Sequence, residues 1–326
     1  MNYKVGVDVS KKKLDVAVLL ADGKYRSKVF TNDFDGFDKL MQWMDAHIPT
    51  GATDAHVCME ATGAYHEALA LFLHDRKIAL SVVNPLLAKR FMESERVRNK
   101  TDAGDAKALA RFCAKTVPEL WEAPSAGVRN LQALIARLDS LLEMKQAEAC
   151  RLDVAHGIVV QSIQRVIDHL QTQIAEVRGL INQTIDDDPD LKQRRDLLET
   201  IPGLGERTIP QLLAYIGRPE RFKSVKAVIA YAGLTPMIRQ SGTSLNKTRG
   251  THPLGNRELR QALYFPAMVA GKYNPLVAAF WRKLKAQNKP GKVIVVACMH
   301  KLLAIAYGVL KSKKPFNAGH SACSTA

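Results

Sequence analysis

Apolar and polar positions change rhythm twice along the chain. In YKVGVDVSKKKLDVAVLLADGKYRSKVFTN, Val5, Val7 and Val9 alternate with Gly6 and Asp8, and Leu14 to Leu20 is rich in β-formers. This predicts three successive strands, with a hairpin turn at Asp22-Gly23. FDGFDKLMQWMDAHI then sets Phe37, Leu40, Met41 and Met44 on one helical face. AHVCMEATG reads as a short buried strand ending at Glu60, and YHEALALFLHDRK as a helix. IALSVVNP reads as a strand closed by Asn84-Pro85, and TDAGDAKALARFCAK as another helix. Three strands followed by alternating helix and strand predict an α/β layer architecture.

TVPELWEAPS, with Pro118 and Pro124, reads as a linker, and the rhythm changes after it. Leu131, Leu134, Ile135, Leu138, Leu141 and Leu142 keep heptad spacing, as do Ile163, Val166, Ile167, Leu170, Ile174, Val177 and Ile181. A helical hairpin or coiled coil over about 127–184 follows. An internal bundle and an oligomerisation stalk both fit it. Asp186 to Asp190 ends the pattern, and from there to Pro315 the chain reads as mostly helical and basic. The tail NAGHSACSTA is small and polar, the composition of a disordered end.

The net charge of +15 over 326 residues is unevenly placed. From Ile201 onward there are 20 Lys and Arg against Glu206, Glu220 and Glu258, so this third carries +17 and the rest −2. One-sided basic charge points to a polyanion, most simply nucleic acid. The five cysteines stand singly, without a CxxC pair or Cys/His cluster, which argues against zinc and for a reducing compartment. Lys11, Lys12 and Lys13 interrupt any signal-peptide run, and the longest strongly apolar stretch, Val293 to Met299, is too short for a bilayer. The expectation is a cytoplasmic protein with no membrane partner.

Asp8 interrupts an apolar strand, and a carboxylate there is costly to bury unless it is paired or holds a metal. Glu60 ends another strand, where α/β sheets place functional groups. Asp102 and Asp105 share one helix face. Four carboxylates from two strands and one helix could converge as oxygen ligands for Mg²⁺. Asp102 after Thr101 is equally helix-capping chemistry. An actin-like ATPase would need a phosphate loop; PGLGER is the only candidate and lacks the Lys-Ser/Thr pair.

IPGLGERTIPQLLAYIG has the spacing of a helix-hairpin-helix, in which Gly203 and Gly205 turn tightly and backbone N–H groups hold a phosphate, with Arg207 beside them. A plain Gly-Pro turn between helices is the alternative. Downstream, Ser241 sits in a polar loop after Arg239, with Lys247, Arg249, Arg257 and Arg260 close behind. Thr243, Ser244 and Thr248 compete with it as hydroxyls, and no histidine stands near it to complete a triad.

Taken together, GVDVSKKKLDV, MEATGAY, VVNP and RNKTDAGDAKALARF resemble the DEDD-type transposases of bacterial insertion sequences, the group described as bridge-RNA-guided recombinases. The resemblance spans nearly the whole chain. It implies an RNase H/RuvC-like catalytic domain over 1–118, a coiled-coil insertion over 125–186, a C-terminal transposase domain over 190–315 and a tail over 316–326. It also implies a metal tetrad of Asp8, Glu60, Asp102 and Asp105, loaded with Mg²⁺ or alternatively Mn²⁺. AGLTP at Ala232–Pro236, Ser241-Gly242, and Gly255 with Arg257 and Arg260 match the family's serine-bearing region. Pro253-Leu254 departs from the more basic approach expected before the glycine.

A serine hydroxyl needs a base or metal to attack a phosphodiester at neutral pH. By resemblance the product is a 5′-phosphoserine link and a free 3′-OH, so rejoining needs no ATP. The partners implied are donor and target DNA, a non-coding guide RNA and further copies of the chain as dimer or tetramer, in a bacterial, nucleoid-associated setting. Asp105 and Ser241 lie far apart in sequence, so such a site would be composite. A water-using RuvC-like nuclease and a non-catalytic nucleic-acid-binding coiled-coil protein are the alternative expectations.

Overall fold

The structure, a computed structural model, describes residues 3–61, 63, 65–95, 102–241, 245–251 and 255–319, with backbone alone at 102–103, 236–241 and 245–251. The chain divides into two compact units, Met1–Ala123 and Pro124–Ala326.

The first unit runs β1 (Tyr3–Val9), β2 (Lys13–Leu19), β3 (Tyr25–Thr31), α1 (Phe34–His47), β4 (Ala55–Glu60), α2 (Glu67–Asp75), β5 (Ala79–Val83), α3 (Pro85–Ser94) and α4 (Asp102–Thr116). Its sheet has the order β3-β2-β1-β4-β5. The hairpin strands pair antiparallel, whereas β1–β4 and β4–β5 are parallel, so the sheet is mixed. Strand alternation sorts the two faces. Val5, Val7, Val9, Leu14, Val16, Val18, Val57 and Met59 form one core with Phe37, Leu40 and Met44 of α1 and Leu69 and Leu73 of α2. On the other face Cys58 and Val83 pack with Ala88 of α3 and Leu109, Phe112 and Cys113 of α4.

That second face is built for close approach. Register aligns Ala17, Gly6, Cys58 and Ser81 as one row of small residues across β2, β1, β4 and β5. A Cβ on Gly6 would lie 1.9 Å from the carbonyl oxygen of Ala106 and 2.4 Å from the amide nitrogen of Ala110. The α4 backbone therefore rests directly on β1, and only glycine fits at position 6.

The helix α3 corrects the sequence reading, which let Asn84-Pro85 close the strand and went no further. Asn84 caps it, its side chain accepting from Leu86 N–H, and Pro85 fills the first turn. The same dipeptide that ends β5 starts a helix.

The second unit runs α5 (Ala126–Leu152), α6 (Val159–Asp187), α7 (Pro189–Glu199), α8 (Ile209–Ile216), α9 (Val225–Tyr231), β6 (Pro236–Ser241), β7 (Leu245–Thr251), α10 (Arg257–Ala262), α11 (Tyr264–Tyr273), α12 (Pro275–Ala286) and α13 (Gly291–Ser312). It is mostly helical. Leu131, Ile135 and Leu141 of α5 share a core with Leu170, Ile174, Val177 and Ile181 of α6 and with α13. The heptad seam is narrower than the spacing suggests, because Leu142 and Val166 face outward. α13 is long and apolar enough to cross a membrane by length and composition, which the seven-residue apolar stretch did not reveal. Ile294, Cys298, Leu302 and Tyr307 are nevertheless buried in this unit's core, and the Tyr307 hydroxyl donates to Phe222 O at 2.8 Å.

Candidate active site

Asp8 and Glu60 stand at the carboxyl ends of the two central parallel strands. Val7 pairs with Met59, so Asp8 and Glu60 are neighbours one step further on. Both continue the alternation of Gly6 and Cys58, and so share the face that α4 covers.

The backbone of α4 begins at the same level. Its far end is fixed by the Cys113 thiol, which donates to His56 O at 3.6 Å; His56 is the register partner of Lys4. Its middle, Ala106 to Ala110, lies over Gly6. The helix therefore runs antiparallel to β1. Two strand residues cover about 6.6 Å and four helical residues about 6 Å, so the first turn reaches the Asp8–Glu60 level. Asp102 is the first residue of α4 and Asp105 lies one turn on, half-buried. The side chain of Asp102 lies outside the described residues. Among the described residues, no three His, Cys, Asp or Glu side chains are gathered closely enough to hold a metal ion.

The sequence reading missed an acid in this row. Asp15 of β2 is the antiparallel partner of Asp8 and is buried, with Lys13 Nζ 3.1 Å from its Oδ2. Like charges opposed across strands repel, and the Lys13 ammonium offsets that repulsion at Asp15. The signal was the hairpin register, in which DVSKKKLD returns an aspartate opposite an aspartate. His66, just before α2, was also passed over; burial pushes its imidazole below the ordinary value. Asn32 ties this end together, its Nδ2 donating to Ser10 O at 2.8 Å and Tyr65 O at 3.1 Å.

Behind the carboxylates lies a second correction. Cys58 and Cys113, read as isolated cysteines, are both fully buried side by side. The hydrogen bond to Cys113, reinforced by burial, holds the Cys58 thiol protonated far above its ordinary value.

In the second unit Ser241 is the last residue of β6, in register with Leu245, and not part of an irregular loop. Arg239 and Lys247 are register partners, as are Met237 and Arg249. The β-hairpin escaped the sequence reading because its strands, PMIRQS and LNKTRGT, are too polar to show alternation. Gly242, Thr243, Ser244, Pro253 and Leu254 lie outside the described residues. The hairpin's base is backbone on backbone: a Cβ on Gly255 would lie 2.1 Å from Gly233 Cα and N. Gly233 has φ +68°, and Asn256 N–H donates to Tyr231 O at 2.7 Å. These contacts account for the glycines of AGLTP and of LGNRELR.

The candidate nucleic-acid contacts divide. Arg207 and Arg257 are exposed, whereas the Arg260 guanidinium donates to Ala232 O at 3.1 Å and braces the hairpin base. Gly203, at φ +102°, packs against Ala270, and the surroundings of Gly205 are open.

Two family models match the chain, the first running past the boundary between the compact units. A transposase family model, that of the DEDD transposases of the IS110 type, matches residues 5–155. A second, described as "Transposase IS116/IS110/IS902 family", matches residues 195–282. The chain is 36% identical to the pilin gene-inverting proteins of Moraxella lacunata and Moraxella bovis, over 96% of its length and 97% of theirs. It is 21% identical to the transposase for insertion sequence element IS1111A of Coxiella burnetii, over 97% of its length and 91% of that protein's. Matched by two transposase family models and by full-length relatives at 36% identity, the chain belongs to the IS110 family of transposases.

Proposed function

We propose that this transposase cuts and rejoins donor and target DNA through a covalent link to Ser241, with Asp8, Glu60, Asp102 and Asp105 holding Mg²⁺ and an element-encoded RNA choosing the sites. The observation that carries the metal assignment is the common level of Asp8, Glu60 and the first turn of α4. The strand order 3-2-1-4-5, with an antiparallel hairpin joined to two parallel strands, supports an RNase H/RuvC-like reading of the first unit. The donor set is entirely carboxylate oxygen, which suits Mg²⁺ or Mn²⁺ and not zinc. When bound, the metal would neutralise charge developing on a scissile phosphate.

The hydroxyl of Ser241 is the proposed nucleophile. Its Oγ forms the bond to phosphorus, its proton passes to a base, and the P–O3′ bond breaks to leave a protonated 3′-OH. The bond energy is retained in the phosphoserine, so the reverse attack by a 3′-OH rejoins strands without a nucleotide. The Moraxella relatives are named for inverting a pilin gene, and inversion and insertion both follow from such paired exchanges. The domain divisions at 118, 125, 186, 190 and 315, a guide RNA and a dimer or tetramer belong to this proposal, as does work on DNA inside the cell.

The test is a covalent-adduct assay with Mg²⁺, labelled donor and target DNA and the transcript of the element's non-coding end. A protein–DNA adduct that disappears in Ser241→Ala and in reactions without RNA supports the proposal. Cleavage without any adduct, unchanged in Ser241→Ala and lost in Asp102→Ala, overturns it in favour of a hydrolytic nuclease.

A further inference from the structure

α11 packs against the usual logic of an amphipathic helix. It buries its small residues, Ala267 and Ala270, and seats Gly271 against the Trp281 ring, where a Cβ would lie 2.7 Å from the indole. Its large side chains stay outside: Phe265 is 74% exposed and Tyr273 70%, with Tyr264, Met268 and Val269 also exposed. Tyr264 and Phe265 stand edge to face at 5.5 Å. Large contiguous apolar surface of this kind marks a binding face.

Two observations identify the occupant. From Arg257 to Lys292 the chain carries eight Lys and Arg and one acid, Glu258. A second copy docking on this face by two-fold symmetry would bring that positive charge against itself, whereas a polyanion complements it. The glycine loop also lies on the same helix. A Cβ on Gly203 would lie 2.6 Å from the Ala270 Cβ, and the buried Asn274 donates to Pro202 O at 3.2 Å. Val269 precedes Ala270 and Tyr273 lies one helical turn beyond it, so the glycine loop packs beside the exposed ring of Tyr273 on the same helix. Duplex bases are stacked on each other and offer no faces; unpaired bases do.

We infer that α11 is a stacking platform for the unpaired bases of a DNA strand, with Phe265 and Tyr273 as its principal rings and the Pro202–Gly205 loop holding the backbone. The inference rests on the reading of the chain as acting on DNA, and extends it from the reacting phosphate to strands that must be unpaired during exchange.

Binding is measured with the full chain in EDTA, so no cleavage chemistry is needed. The probes are a fluorescein-labelled 20-nucleotide single strand, the same sequence as RNA and as duplex, and a single strand carrying 2-aminopurine. Phe265→Ala and Tyr273→Ala each weaken single-stranded DNA binding about tenfold, with duplex affinity within about twofold. Phe265→Trp keeps wild-type affinity, and 2-aminopurine quenching in the wild type is lost in the alanine variants. Unchanged single-strand affinity, an equal loss on duplex, or a loss confined to RNA overturns the inference. A drop in sedimenting mass with single-strand binding unchanged overturns it in favour of a second copy. If the wild type binds no DNA at all, the functional reading itself fails; loss of adduct chemistry alone leaves this assay intact.

Discussion

At Gly6 a single hydrogen in place of a methyl decides where α4 sits. Alanine there would drive its Cβ to 1.9 Å from Ala106 O, and neither a strand nor a helix backbone can yield that distance locally. Overpacking of this kind costs about 1–3 kcal/mol, and more where backbone must move. Gly6→Ala is therefore expected to lower the thermal midpoint and to abolish Mg²⁺-dependent cleavage, whereas Gly205→Ala, with open space around it, leaves the midpoint unchanged. A calorimetric scan of the two variants beside the wild type checks this. The cysteines give a second test at the same scale. Cys58, Cys113 and Cys298 are buried and Cys150 is exposed. Brief alkylation of the native protein, read by peptide mass spectrometry, should mark Cys150 and spare those three until denaturant is added. Labelling of Cys58 or Cys113 in the native state would contradict the packing of α4 on β4.

Between α3 and α4 the element-level clamp is Glu95. Arg111 Nε donates to its Oε2 at 2.6 Å and Lys115 Nζ to its Oε1 at 2.7 Å. Burial would raise this carboxyl, but the hydrogen bonds from Lys115 and Arg111 outweigh it and hold it below its ordinary 4.5. A depressed carboxyl contributes stability that is complete above the unfolded value and is lost as pH falls through the folded one. In Glu95→Gln, stability at neutral pH should drop by about 1 kcal/mol, and the wild-type decline below about pH 4.5 should become shallower. Denaturant midpoints taken from pH ~6 to ~3 measure both; parallel acid profiles for the two proteins would remove the clamp from the account. How legible these elements were depends on what makes them. The hairpin α5–α6 announces itself because two heptad runs bury each other, a purely local rhythm. The positions of Asp8, an acid interrupting an apolar strand, and of Glu60, an acid ending one, could be read from the strand pattern alone. Asp15 was not, because its place opposite Asp8 is set by a cross-strand register, nor was the Cys58–Cys113 pair, which tertiary contact alone creates across 54 intervening positions. The strand that bears Ser241 was hidden because a polar hairpin carries no apolar alternation to read.

Across the whole molecule, charge is divided as sharply as structure. The segment from Ile201 carries +17 and lies within the second compact unit, while the remaining 200 residues carry −2. Duplex affinity should therefore be strongly salt-dependent: with six to ten phosphates neutralised, about 10³–10⁵ in affinity is lost between 50 and 200 mM salt. Arg257 is exposed and Arg260 is tied to Ala232 O. Arg257→Ala should thus reduce the log–log salt slope by about one without lowering the thermal midpoint, whereas Arg260→Ala should lower the midpoint as well. Anisotropy titrations at several salt concentrations, paired with melting curves, separate the two roles. A salt slope near zero for the wild type would sink the polyanion assignment.

The touching pair Gly233 and Gly255 has one more implication, for how such a protein can be re-engineered. Their contact closes a span of 21 intervening residues at its root, so the span's length is uncoupled from the core below it. Loop-closure entropy grows so slowly that doubling such a span costs only about 0.6 kcal/mol. A protein with this arrangement should accept a longer or shorter β6–β7 hairpin with its Gly233–Gly255 root still closed, provided that Leu234 and Ser241 are kept.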